Sequence, residues 1–172
     1  AGDRHLQAEG HLYWGHVLLK QNYYDDARPH YETALKLADE AALHALKAAS
    51  LRGLSSLALN QANYVEARTY TEQCLYISRN IGNALEEGIA LDHIGLIACR
   101  QGNYSDATQH HEQALRIFRE VGDRKSEGIA LHHLGLVAVR SGNPAEAQTF
   151  YQQALSIYHS IGDRLNESTM LN

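Results

Sequence analysis

The sequence predicts an all-α protein, a right-handed α-solenoid built from tandem antiparallel helix pairs. The first observation is a 40-residue period, since residues 81–120 and 121–160 agree at 18 of 40 positions. The second is that the period extends backwards: residues 41–80 match 81–120 at 11 positions, and residues 1–40 match 41–80 at 10. The third is that each copy carries two apolar stretches with helical spacing, while nothing resembles a strand.

The composition is that of a chain that folds and crosses no membrane. Apolar residues make up 44% of the 172 residues and charged residues 20%, which favours folding over disorder. The net charge of −5 argues against a nucleic-acid scaffold. No apolar run approaches the roughly 20 residues of a membrane helix, and no leader resembles a signal peptide. Cys74 and Cys99 lack a CxxC pairing, which favours a reducing, cytoplasmic location.

Each copy is expected to form two helices joined by a short turn. In the third copy, Asn83 followed by Glu86 resembles a capping box at the start of the first helix. Gly102 interrupts that helix, and Asn103 is expected to cap the second one. In the fourth copy Pro144 falls at a first helical position, where proline is favoured. The predicted helices span about 3–20, 24–38, 42–60, 64–80, 83–100, 104–122, 123–140 and 144–160, and residues 163–172 should begin another.

The first helix of each copy is apolar on two sides, which predicts a stack of helix pairs. A helix of this kind needs two neighbours, its own partner and the adjacent copy. Gly95 and Gly135 share one contact position and permit close helix approach. In the third copy one face consists of Leu91, Ile94, Gly95 and Ala98, and the other of Ala90 and Ile97. We expect a single array over 1–172, with copies near 1–40, 41–80, 81–120 and 121–160 and a truncated fifth at 161–172, cut from a longer array.

A small set of positions recurs from copy to copy. The third copy has Leu91, Ile94 and Gly95, then Ala107 twelve residues on and Ala114 seven later. The other copies carry the set as Trp14, Gly15, Ala27, Tyr31 and Ala34, as Leu131, Leu134, Gly135, Ala147, Tyr151 and Ala154, and, more weakly, with Ser55 in the glycine position. This pattern resembles the tetratricopeptide repeat in its long, 40-residue type. Arrays of that type occur in bacterial signal-transducing ATPases and regulators and in spindle-orientation adaptors.

The resemblance implies a concave groove lined by the first helices. On a helical wheel these positions lie about 80–180° from the packing face, so geometry also leaves them free of the core. The adaptors typically follow Leu-Gly with an asparagine that clamps a peptide backbone, and its replacement here argues against an extended peptide. The groove positions carried over are Leu12, His16, Leu19, Lys20, Arg52, Ser56, Leu59, Asn60, Asp92, Leu96, Cys99, Arg100, His132, Leu136, Val139 and Arg140.

These positions combine an apolar floor (Leu19, Leu59, Leu96, Leu136 and Val139) with a basic rail (Lys20, Arg100 and Arg140). Large exposed apolar patches rarely stay bare. An amphipathic partner helix with acidic residues along one edge would fit both features. Arg100 and Arg140 also have a purely structural interpretation, because each ends its helix, where a cation is favoured by the helix dipole.

The eleven histidines raise the question of a metal. Adjacent histidines such as His132 and His133 point ~100° apart on a helix and cannot chelate one ion. No HxxxH spacing or carboxylate partner completes a tetrahedral set, so we predict no metal and no cofactor. His111 occupies the position of Tyr31 and Tyr151, which predicts a structural role in a helix contact; pH sensing by partly buried histidines is a weaker alternative. No nucleophile elbow or phosphate loop occurs, so the protein is predicted not to be an enzyme.

The predicted function is protein–protein interaction, as the sensor or scaffold part of a larger signalling or regulatory protein. The partner would be a protein or peptide, in particular an amphipathic helix. An alternative is self-assembly into a homo-oligomer through exposed array ends. Single-stranded RNA binding is a third possibility, disfavoured by the acidic total and the lack of exposed aromatic residues at stacking intervals.

Overall fold

The computed structural model describes residues 2–166, and those residues are almost entirely helical. The helices are α1 (Gly2–Lys20), α2 (Tyr24–Glu40), α3 (His44–Asn60), α4 (Tyr64–Asn80), α5 (Ala84–Arg100), α6 (Tyr104–Val121), α7 (Arg124–Arg140) and α8 (Pro144–Ile161). Each predicted helix is present with its bounds shifted by at most two residues. Residues 164–166 are helical, as expected for the start of a fifth copy, and the rest of that predicted helix lies outside the described residues. The predicted all-α fold of tandem helix pairs is therefore confirmed.

The turns repeat every 20 residues, twice as often as the sequence period. A residue with positive φ follows each helix, and these residues are Asn22, Ala42, Ala62, Gly82, Gly102, Gly122, Gly142 and Gly162. The left-handed conformation lets the following backbone amides donate to carbonyl groups of the preceding helix. For example, the backbone N–H of Asn103 donates to the backbone oxygen of Ala98 at 2.9 Å. Every helix thus ends with the same reversal of chain direction, which gives antiparallel neighbours.

The predicted caps are only partly present. The side-chain oxygen of Asn83 accepts from the backbone amide of Glu86 at 3.1 Å. The Glu86 carboxylate does not complete a capping box, because it pairs with Arg52 at 2.6 Å instead. Asn103 precedes α6 as expected, but its side chain makes no capping hydrogen bond, so that part of the prediction is wrong. Pro144 does begin α8.

The described residues fall into two compact units, one ending at Ala90 and the other beginning at Leu91. In unit 1, α1 pairs with α2 and α3 with α4, and α2 also packs on α3. Its core clusters are Ala27, Tyr31, Leu54 and Leu57, and Ala48, Leu51, Cys74 and Ala90. Cys74 is a buried free thiol within the second of these clusters.

Unit 2 contains the rest of α5 with α6, α7 and α8. The predicted apolar faces of α5 are buried, including Leu91, Ile94 and Ile97. Gly95 also fulfils its predicted role, because a Cβ there would lie 2.8 Å from the ring of His111. None of the described helices is long and apolar enough to cross a membrane.

Candidate partner-binding surface

In unit 2 the predicted floor and rail residues lie on α5 and α7. Leu96 and Leu136 are half-buried, whereas Arg100 and Arg140 are exposed. Arg140 donates from Nη1 to the backbone oxygen of Cys99 at 3.5 Å, so it also satisfies a carbonyl in the last turn of α5. This contact is with a neighbouring helix and not with the end of its own helix, so both interpretations of the arginines stay predictions.

Val139 and Cys99 occupy equivalent positions in successive copies but differ in exposure. Val139 is 50% exposed and lines a depression of about 320 Å³ with Tyr151 and Leu155 of α8. Cys99 is buried and packs in a cluster with Val137 of α7. The expectation that Cys99 lines a groove is wrong, because its position is where one helix pair stacks on the next.

Asp92 was expected to line the groove, but it is only 5% exposed. That expectation is wrong because the carboxylate turns inward to two histidines. His111 Nδ1 lies 2.6 Å from Asp92 Oδ1. His133 Nδ1 lies 2.9 Å from Oδ2 and 3.1 Å from Oδ1. Three side chains from α5, α6 and α7 thus form one polar cluster, the Asp92–His111–His133 cluster.

Hydrogen bonding fixes where the ring protons of this cluster lie. An ionised carboxylate only accepts, so both Nδ1 atoms must carry a proton and donate to Asp92. Burial opposes ionisation of Asp92, but the charge of His133 and the hydrogen bonds from both histidines outweigh it and hold the pKa of this carboxyl below its usual range. Burial likewise opposes a charged His133, yet the Asp92 charge and hydrogen bond raise the pKa of His133. The arrangement favours an ionised Asp92 with a shared or neighbouring positive charge.

His132 is half-buried beside this cluster, with its ring centroid 5.8 Å from that of His133 and 5.8 Å from that of Tyr151. Burial, and then the charge of His133, lower the pKa of His132. A neutral His132 can accept or donate a hydrogen bond at the surface without adding charge to it. Among the predicted groove residues of unit 2, the exposed charges are therefore those of the two arginines.

The sequence-based expectation that no carboxylate accompanies the histidines is wrong. Asp92 precedes His111 by 19 residues and His133 by 41, so no local spacing marks the set. The available signal was the repeat itself. Asp92 and His133 stand where the first and second copies have Leu12 and Gly53, and His111 stands where the first copy has Tyr31. The structural role predicted for His111 is confirmed, since its side chain is fully buried.

In unit 1 the predicted groove residues on α1 are half-buried or exposed. Leu19 packs on the core that contains Tyr31, with only part of its surface free. His16 lies edge-on to the Tyr31 ring, with centroids 5.4 Å apart. Burial, followed by the charges of Arg52 and Lys20, lowers the pKa of His16. Lys20 is exposed at the end of this helix.

The predicted residues on α3 are mostly engaged within unit 1. Arg52 Nε pairs with Glu86 Oε1 at 2.6 Å, which neutralises it. The Ser56 hydroxyl donates to the backbone oxygen of Arg52 at 3.0 Å, as serines inside helices often do. Leu59 is half-buried and Asn60 is exposed.

Helix α1 also exposes two aromatic side chains that were not expected at a surface. Tyr13 is 66% exposed and Trp14 is 55% exposed, and their rings meet edge to face at 6.5 Å. Their adjacency along one helix is unlike a series of stacking positions spaced for successive bases.

Comparison with known proteins agrees with this architecture. The tetratricopeptide repeat family matches residues 86–160 and residues 8–41. The chain belongs to this family and is a tetratricopeptide repeat array. No curated protein sequence matches the chain significantly.

Several solved structures share the fold at low sequence identity. Aspartyl phosphate phosphatase F from Bacillus subtilis superposes with a TM-score of 0.86 at 17% identity, over 97% of this chain and 44% of that one. A Rap protein complexed with competence and sporulation factor gives 0.82 at 18%, over 90% of this chain and 44% of that one. A signal transduction ATPase with numerous domains and a tetratricopeptide repeat sensor, from Pyrococcus horikoshii, gives 0.78 at 17%, over 97% and 26%. The chain thus spans less than half of each of these proteins and resembles the repeat arrays of signalling proteins.

Proposed function

We propose that the chain is the recognition part of a larger regulatory protein and binds an amphipathic helix or peptide on the exposed face of its first helices. The observation that carries this proposal is the surface of unit 2, where half-buried Leu96 and Leu136 lie on the same two helices as exposed Arg100 and Arg140. Apolar side chains that the core does not cover gain free energy when a partner buries them. The arginines would select a partner with acidic residues beside its apolar face.

Two of the similar structures support the proposal. One Rap protein is complexed with competence and sporulation factor, and the Pyrococcus horikoshii ATPase uses its repeats as a sensor. A comparable role here requires a bound protein or peptide and no chemistry by the chain. We therefore assign no catalytic residue and no cofactor to this function.

We extend the proposal to a single continuous array that functions in the cytoplasm. The 40-residue period runs through all four copies, which supports one array in which unit 1 contributes Leu19, Lys20, Leu59 and Asn60 to the same kind of surface. Both cysteines are buried free thiols, which accords with a reducing compartment.

The test is a binding experiment with charge reversal. Peptides selected by display against the chain would be measured by fluorescence anisotropy with the wild-type chain and with the double variant Arg100→Glu/Arg140→Glu. We expect affinity for acidic amphipathic peptides to fall at least tenfold, corresponding to about 1.4 kcal/mol, because attraction at the rail becomes repulsion.

The matched control is Arg116→Glu/Arg164→Glu, which makes the same charge change at exposed positions outside the proposed surface. Its affinity should stay close to that of the wild type. Equal loss in both double variants would mean that only net charge matters. Unchanged binding in the Arg100→Glu/Arg140→Glu variant would exclude the proposed surface.

A further inference from the structure

We propose that the Asp92–His111–His133 cluster is a binding site for a divalent transition-metal ion of the zinc class. One ligand atom from each of the three residues lies within 4.8 Å of the other two. Two imidazole nitrogens and one carboxylate oxygen are ligands that Zn²⁺ and Co²⁺ favour, whereas Ca²⁺ and Mg²⁺ prefer oxygen alone. A three-residue set leaves further coordination positions for water or for a group of a partner.

The two contacts of Asp92 would change little on metal binding. Ligands around a tetrahedral zinc ion lie about 3.3 Å apart, given metal–ligand bonds of ~2.0–2.1 Å. The present contacts of 2.6 Å from Asp92 to His111 and 2.9 Å to His133 would open by less than an ångström. The ring centroids of His111 and His133 are 5.2 Å apart, so both rings already border the carboxylate.

Metal binding would change which nitrogens of the two histidine rings carry protons. Both nitrogens that would coordinate the ion are the Nδ1 atoms, which now donate to Asp92. A neutral ring that binds the ion through Nδ1 keeps its one proton by carrying it on Nε2, and a protonated ring releases one proton to solvent. Asp92 exchanges two hydrogen-bond donors for one metal bond, so its buried charge stays compensated.

The surroundings of the site suggest moderate rather than very tight binding. The Nε2 atom of His111 is buried and has no hydrogen-bond partner among the described residues. Metal-binding histidines usually donate their second N–H to an acceptor, and the loss of such a partner lowers affinity by about 10–100-fold. His133, whose side chain is 19% exposed, provides the most accessible approach to the cluster.

Unit 1 lacks this set of metal-binding residue types at the equivalent positions of the repeat. Leu12, Tyr31 and Gly53 occupy the equivalent positions in unit 1, and Leu12 packs on the cluster that contains Tyr31. At all three positions, therefore, the residue of unit 1 is replaced in unit 2 by a residue type that can bind a metal ion. A single buried histidine would be explained by packing; a complete ligand set at three facing positions is better explained by a ligand.

The experiment titrates the folded 172-residue chain with Co²⁺, followed by absorption, and displaces it with Zn²⁺, followed by calorimetry. We expect one ion per chain and residue-specific shifts of the His111 and His133 ring nitrogens in NMR spectra. His111→Tyr, which introduces the residue of the equivalent position in unit 1, should lower affinity at least tenfold, as should Asp92→Asn. His44→Gln, which removes an exposed histidine from unit 1, should leave binding unchanged.

The triple variant Asp92→Leu/His111→Tyr/His133→Gly reproduces the unit 1 residues and serves as the negative control, with its folding checked by circular dichroism. The proposal is overturned if the wild-type chain binds neither Co²⁺ nor Zn²⁺, or if the triple variant binds them equally well. NMR shifts confined to other histidines would also overturn it, whether or not any variant folds.

Discussion

At the same positions of the repeat, unit 1 has apolar packing and unit 2 has a polar cluster. In unit 1 the ring of Tyr31 lies against Gly15 and Gly53, so closely that a Cβ on Gly53 would fall 2.2 Å from its Cε1 atom. In unit 2 the smaller ring of His111 takes this place. His133 replaces the second glycine and fills the volume that the shorter ring leaves.

The size and the polarity of the buried side chains at these positions differ together between the two units. Burial raises the pKa of Tyr31 to about 12, and its hydroxyl is buried with no hydrogen-bond partner among the described residues. In unit 2 the Asp92 carboxylate instead accepts a hydrogen bond from each of the two histidines. A polar cluster of this kind stabilises a fold only when it is complete, because each member depends on the others.

The largest expected effect comes from removing one member of the polar cluster. Asp92→Leu should destabilise the chain by about 3–5 kcal/mol, because it leaves two buried N–H donors, and any charge on His133, without an acceptor. Urea denaturation followed by circular dichroism, with a chelator present, measures this. The triple variant Asp92→Leu/His111→Tyr/His133→Gly should recover most of the loss. If the triple variant is no more stable than Asp92→Leu, the three residues of unit 1 cannot replace the polar cluster of unit 2.

The next effect comes from adding volume in unit 1. Gly53→Ala should destabilise the chain by roughly 1–3 kcal/mol, because the new methyl group would overlap the buried Tyr31 ring. Gly10→Ala is the control, since a Cβ there meets nothing within 4 Å, and it should stabilise α1 by up to about 1 kcal/mol. Thermal unfolding of both variants measures the two effects. Equal changes in stability would show that the Tyr31 ring does not limit the size of the residue at position 53.

A third prediction contrasts the buried carboxylate of unit 2 with a partly exposed one in unit 1. Arg28 donates to Glu66 at 2.9 and 3.2 Å. This hydrogen bond lowers the pKa of Glu66 against the effect of burial. A lowered carboxyl pKa contributes stability above the unfolded value and loses it as the pH falls through the folded value.

Glu66→Gln should therefore cost about 1 kcal/mol at pH 7, and the difference from the wild type should shrink as the pH falls below about 4. Unfolding midpoints at pH 7 and pH 3 provide the measurement. Glu112→Gln, at an exposed position of α6, should change stability little at either pH. A Glu66→Gln deficit that persists undiminished at pH 3 would contradict the assignment.

The smallest expected effect concerns the turns, which also differ between the units. Ala62 has φ of 57° in unit 1, whereas the equivalent turn residue in unit 2, Gly102, has φ of 83°. Ala62→Gly should stabilise the chain by up to about 1 kcal/mol by relieving the left-handed strain, and Gly102→Ala should destabilise it by a similar amount. Chemical denaturation can resolve both, and changes of the same sign would refute the explanation.

The predicted surface was harder to derive than the fold. Leu96, Leu136, Arg100 and Arg140 could be placed because each stands at one wheel position of a helix whose packing face was evident. The helical wheel gave the wrong environment for Asp92, because it shows the direction of a side chain but not which residues of other helices lie opposite. Arg52 was placed in the groove without a partner for the same reason, since Glu86 lies 34 residues away on another helix.

The sequence by itself determined the helices, the turns and the helix pairs of this protein. The apolar period and the recurring positions of the repeat suffice for that, because they act within one helix or between neighbours in the chain. Only the tertiary structure decided that Asp92, His111 and His133 meet. They come from three helices, and the free energy of burying a carboxylate depends on donors that no local pattern specifies. The same packing that made Tyr31 a core residue in unit 1 thus made a polar cluster, and a candidate metal site, in unit 2.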